Sequence, residues 1–145
     1  KIALAHRGTD AVNEHEIMEL VARTAEVKPW EFVDALAARD ARKCLLLLGR
    51  MESVSPHALL AMCTTRLREL VCARALADRG NPRGVAAALK IPDWRCKNHA
   101  AWARGFTAAE LRRAIVSARD TERAMKSGAD AQAAFLDWVL SVTAR

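Results

Sequence analysis

The chain has 145 residues, 52% hydrophobic and 28% charged, which is one domain's worth of polypeptide or slightly more. It can bury a core without metal or disulfide staples, is too apolar to be disordered, and, with 5% aromatics, no Tyr and six Gly, does not read as all-β. The net charge of +6 rests on 17 Arg against 6 Lys, an excess that suits an anionic partner, nucleic acid included.

Residues 2 to 7 read as the tail of a helix, and Lys1 in place of a start Met predicts that a larger protein begins upstream. Asn13 followed by Glu16 is an N-cap with an acid at N3, opening a helix through Ile17, Leu20 and Val21. Pro29 starts a short helix carrying Trp30, Phe32, Val33 and Leu36. Asp40 caps the next, which holds Leu45 to Leu48 and is predicted to end near Glu52. Ser55-Pro56 combines a capping serine with a proline at N1, where its missing N–H costs nothing, and predicts a long helix over 56–78. Leu60, Cys63, Leu67, Leu70 and Val71 form its apolar stripe. Gly80-Asn81-Pro82 breaks the pattern and restarts a short helix to Leu89. Pro92 ends that segment, and a further helix is predicted from Asp93 to Arg104. Thr107 with Glu110 is a capping box for a helix reaching Lys126, and Gly128 suits the C′ position. Asp130 caps a last helix whose Phe135, Trp138, Val139 and Val142 share one face. No segment alternates with period two, so the fold class is all-α, a helical bundle, with no internal repeat.

The sequence offers little for catalysis. It has no phosphate-cradling G-x-x-x-x-G-K-[ST] and no H-E-x-x-H. His6, His15, His57 and His99 are scattered and read as surface or structural residues, while Glu14 and Glu16 sit in a first turn that favours acids. No catalytic residue, cofactor or metal ligand is therefore assigned. Cys44, Cys63, Cys72 and Cys96 contain no C-x-x-C pair and read as small buried hydrophobes of a cytoplasmic protein. The longest apolar run, Cys44 to Leu48, is far short of the ~20 residues that span a bilayer, so no membrane partner is expected.

Two features could meet nucleic acid. The stretch from Val85 to Arg104 resembles a helix-turn-helix, with Arg95, Lys97 and Asn98 opening a recognition helix. Its plainer reading is two packed helices with Trp94 and Trp102 in the core. The second feature is a basic ridge. Steps of ~100° per residue bring Arg112, Arg119, Arg123 and Lys126 to one face of the 107–127 helix. Leu111, Ala114, Ile115, Ala118 and Met125 form the buried stripe beside it. From 66 to 119 there are twelve basic residues against four acidic ones. Such a face fits a phosphate backbone or an acidic protein surface.

Two strings go further. "KPWEFVDALAARDARKCLLLLGRM" resembles the opening of the C-terminal domain of the delta subunit of the bacterial DNA polymerase III clamp loader: an aromatic (Trp30 or Phe32), Val33-Asp34-Ala35-Leu36, the Arg39-Asp40 turn, then Leu45 to Leu48. "TAAELRRAIVSARDTERAMKSGADAQAAFLDWVL" is similar to that family's closing helix pair, through Leu111, Ala114, Ala124, Lys126, Gly128, Phe135 and Leu136. The resemblance implies that residues 1–27 end a lid-like helical domain and that 28–145 form the collar domain. It implies assembly with other clamp-loader subunits into a pentameric ring that places the sliding clamp on primed DNA. The family's clamp contact lies in an N-terminal domain outside this sequence, and the subunit hydrolyses no ATP. Some members carry an aromatic near template DNA after the penultimate helix. Here that place holds Lys126-Ser127-Gly128, which leaves only charge. Arg112, Arg119, Arg123 and Lys126 are then the candidate DNA- or partner-binding residues. The alternatives are a helix-turn-helix DNA-binding protein and the collar of an ATP-hydrolysing loader subunit.

Overall fold

Caps and breakers set most of the helix boundaries. In the computed structural model, which describes residues 27–51 and 53–145, those residues form seven α-helices and no strand. They are α1 (Pro29–Ala37), α2 (Ala41–Leu48), α3 (Pro56–Asp78), α4 (Val85–Leu89), α5 (His99–Arg104), α6 (Ala108–Lys126) and α7 (Ala131–Thr143). Two 3-10 turns, Pro82–Gly84 and Asp93–Arg95, precede α4 and α5. The tail over 2–7, the helix predicted from Asn13, and His6, His15, Glu14 and Glu16 lie outside the described residues.

Among the described residues the predicted caps form. The side chains of Asp40, Ser55 and Asp130 accept the N–H groups of Lys43, Ala58 and Ala133 at 3.0, 3.0 and 3.2 Å. In the Thr107 capping box, the hydroxyl accepts the Glu110 N–H at 3.0 Å and the Glu110 carboxylate accepts the Thr107 N–H at 2.8 Å. Gly128 leaves α6 at φ +104°, a backbone state that glycine adopts without strain.

Three expectations need correction. α2 ends at Leu48 rather than near Glu52. Beyond Gly49, N–H groups reach back three residues, Arg50 to Leu47 and Met51 to Leu48, and this turn buries Met51. The helix predicted over Asp93–Arg104 is two pieces. Successive three-residue turns (Arg95 to Pro92, Cys96 to Asp93, His99 to Cys96) separate the Asp93–Arg95 turn from α5 and bring His99 inward. That break removes the helical register linking Trp94 to Trp102, so Trp102 packs partly buried on the core while Trp94 is 73% exposed. Finally, Val71 is 42% exposed, because it lies a full 100° step beyond Leu70 at the edge of the stripe.

α3 is the spine. It packs against α1, α4, α5, α6 and α7, with Leu59, Leu60, Cys63, Leu67, Leu70 and Ala73 buried along it. α7 closes the bundle over α6 and α1. Phe135 meets Phe32 at 5.7 Å between ring centroids and Trp138 at 6.0 Å. The Trp138 indole N–H donates to the Ala114 carbonyl and the Ser117 hydroxyl, both at 3.1 Å, so the ring is buried with its polar atom satisfied.

A buried arginine ties the ends of this bundle together. Arg39, at φ +59° in the turn between α1 and α2, donates to the Gly105 carbonyl at 2.8 Å, to the Glu110 carboxylate at 3.0 Å and to the Ala144 carbonyl. Its guanidinium lies 4.6 Å from the centre of the Phe106 ring. One side chain thereby fixes the α1–α2 turn, the start of α6 and the end of α7.

Candidate functional site

Helical spacing places the basic ridge on the outer side of α6, and Arg112, Arg119, Arg123 and Lys126 are all exposed there. Leu111, Ala114, Ala118 and Met125 are buried on the opposite side, with Ile115 partly buried between. The four basic residues share a face but differ in surroundings. Lys126 pairs with Glu122 at 3.4 Å, one turn back on α6. Arg112 and Arg119 border clefts between α6 and α3, whose lining includes Val71, Ile115 and Val116. Val116 is 55% exposed in the midst of the ridge. The sequence carried its signal, an apolar residue on an otherwise charged helical face.

The residues proposed for a recognition helix do not form one. Arg95 closes a 3-10 turn, Lys97 lies in the connection, and Asn98 is the residue before α5. α5 has six residues and buries His99 and Ala103 against α3, so its length and its inward face are spent on the core. What this segment exposes is an edge. Trp94 stands out with Arg95 and Lys97 exposed beside it, and from 82 to 98 Arg83, Lys90, Arg95 and Lys97 face one acid, Asp93. Trp30, 59% exposed on α1, and Arg95 line one cleft of about 220 Å³. This edge is only weakly signalled by its residues. A tryptophan between two turn signals can face either way.

His99, the buried one of the two described histidines, has a structural partner. His99 Nε2 lies 2.7 Å from Glu69 Oε1, which also lies 3.5 Å from Arg66 Nε. Arg66 reaches Asp34 at 2.7 Å and sits 5.0 Å from the centre of the Trp102 ring. This chain of polar contacts joins α1, α3 and α5. His57 is exposed at the start of α3. Among the described residues no three His, Cys, Asp or Glu side chains gather as a metal site, and no helix is long and apolar enough to cross a membrane. All four cysteines are free thiols, but only Cys44 and Cys63 are fully buried, whereas Cys72 and Cys96 reach the surface in part. Burial pushes the Cys44 thiol up to about 12, with Asp40 adding to it, and pushes Cys63 up as well.

A long central helix flanked by a small N-terminal helix pair and a closing C-terminal pair makes the described residues an all-α helical bundle. The chain shares that fold with the Bacillus subtilis DNA clamp loader delta protein (YqeN), with a TM-score of 0.70 at 22% identity, covering 81% of this chain and 36% of that one. The family model described as DNA polymerase III delta subunit, C-terminal domain, matches residues 26–142, and the chain belongs to that family. No curated protein matches it. The chain thus spans 36% of the length of the Bacillus protein. Membership of the delta family sets aside the helix-turn-helix protein.

Proposed function

We propose that residues 28–145 are the collar domain joining a delta subunit to its neighbours in a DNA polymerase III clamp loader, and that residues 1–27 end the lid-like domain before it. The match of the delta C-terminal family over residues 26–142 carries this reading. In it the chain works in the cytoplasm, carries no catalytic site and needs no cofactor; its mechanism is assembly. Rigid packing around α3 holds two exposed surfaces at fixed positions, the α6 ridge and the Trp94 edge. The ridge residues Arg112, Arg119, Arg123 and Lys126 face an adjoining subunit. The Trp94 edge, with Arg95 and Lys97, faces primed DNA in the assembled ring. An exposed indole can stack on an unpaired or terminal base, and the cations beside it can meet phosphates.

The test is reconstitution. The chain is mixed with the purified neighbouring loader subunits, and complex formation is followed by size-exclusion chromatography with light scattering. A stoichiometric complex is expected. Failure to associate would overturn the reading, and tight sequence-selective binding to one duplex would put a DNA-binding protein in its place.

A further inference from the structure

The α6 ridge borders more than solvent. Two clefts of about 370 Å³ each line up between α3 and α6 and share Ile115 and Val116. One runs from there past Val71 towards Ala108, the other past Leu60 towards Glu122. Between Ala108 and Glu122 the helix rises about 21 Å, which matches roughly four turns of a second helix laid along it. Val71 and Val116, 42% and 55% exposed, stand in this trough. Arg68, Arg112 and Arg119 rim it, all exposed, and none of them makes an ion pair with another described residue. The acids at its edges are already engaged, Asp78 with Arg74 at 3.5 Å and Glu122 with Lys126 at 3.4 Å. The trough therefore offers an apolar strip between positive charges that no described residue matches.

We propose that this trough takes an amphipathic helix of an adjoining loader subunit, with its apolar edge on Val71 and Val116 and acidic side chains meeting Arg68, Arg112 and Arg119. The proposal rests on the collar reading above and names the chemistry of the partner. A helix laid in a groove is read through apolar anchors at i, i+3, i+4 and i+7, and a strip of this length serves that pattern. The apolar floor decides against nucleic acid. Phosphates would satisfy the arginines but leave both valines wet, and backbone contacts to DNA have no use for an apolar floor.

The experiment uses the chain with the purified neighbouring loader subunits. Val71→Asp and Val116→Asp are made singly, since both side chains are exposed and tolerate the change, with helix content checked by circular dichroism. A third variant combines Arg112→Glu and Arg119→Glu. A fourth replaces Val116 by a photo-crosslinking residue, and the captured peptide is identified by mass spectrometry. Each Asp variant should weaken assembly at least tenfold, the double Glu variant should do so most strongly at low salt, and the captured peptide should be helical with acids flanking an apolar edge. Assembly that proceeds undiminished in the Asp variants, or capture of a basic segment, overturns the proposal and leaves the collar reading standing. Absence of any assembly overturns both. Random duplex DNA that protects the trough from crosslinking, with affinity indifferent to Val116→Asp, would replace the proposal with a nucleic-acid surface.

Discussion

Trp138 and Arg39 are two single residues that hold distant parts of the chain together, and only one was legible in the sequence. Trp138 announces itself through its spacing with Phe135, Val139 and Val142, all of which are buried. Trp138→Ala should cost about 3–5 kcal/mol, as expected for deleting a large buried aromatic, and denaturant melts measure it; a loss under about 1 kcal/mol would mean that this face is not core. Arg39 looks in the sequence like an ordinary turn residue. Its partners are 66, 71 and 105 positions away, so no local pattern reports them. Arg39→Ala leaves the Gly105 and Ala144 carbonyls without their donor, while Glu110 keeps the Thr107 N–H, and the two carbonyls alone should make it cost about 2–3 kcal/mol. Arg39→Lys should restore little of that, because an ammonium cannot span three separated acceptors. The cysteines add a measurement of the same kind. Burial shields Cys44 and Cys63 and raises their pKa values, whereas Cys96, though also raised, reaches the surface. A thiol reagent near neutral pH should label Cys72 and Cys96 ahead of Cys44 and Cys63 in the folded chain, and all four once it is denatured.

Among the elements, helix starts at explicit caps were readable to the residue, as α3 after Ser55 and α6 after Thr107 show, whereas the end of α2 was not. Residues 82–98 were not, because three-residue turns leave no apolar periodicity to read and the inward path of His99 depends on Glu69, 30 positions earlier. The first turn of α6 carries a pH dependence that follows from its cap. The Thr107 N–H, and then the Arg39 guanidinium, hold the Glu110 carboxyl below its ordinary value. A carboxyl lowered in this way contributes stability above its unfolded pKa and loses it as the pH falls through the folded one. Unfolding free energy should therefore decline on acidification below the ordinary glutamate range, around pH 4–5, and less steeply in Glu110→Gln. Denaturant melts across that range check this; equal acid slopes in both proteins would show that the cap adds nothing ionic. Thr107→Ala removes the other half of the box and should cost about 1 kcal/mol.

At the scale of the whole molecule the question is how a chain of net charge +6 divides its positive surface. The sequence showed that excess but not its division, because exposed Val71 and Val116 belong to different helices and only packing brings them into one trough. The α6 ridge borders that apolar trough, whereas the Trp94 edge pairs an exposed indole with cations. The first arrangement suits protein and the second suits nucleic acid, so the two surfaces should respond separately to mutation. Replacing Arg119 and Arg123 together by Glu should weaken assembly with loader subunits and leave helix content unchanged, since both lie outside the buried stripe. Trp94→Ala should leave assembly intact and lower affinity for primed template by about 1–3 kcal/mol, the range of one base–aromatic stack. Contacts of this kind read phosphates and ring faces, not base edges. Binding should therefore be indifferent to sequence and fall steeply with salt, with a slope of about −0.9 in log–log form for each phosphate neutralised in duplex. The measurements are titrations of the assembled complex against primed template and random duplex at two salt concentrations, beside the assembly assay. If the Glu pair abolished DNA binding and spared assembly while Trp94→Ala did the reverse, the two surfaces would have to exchange roles.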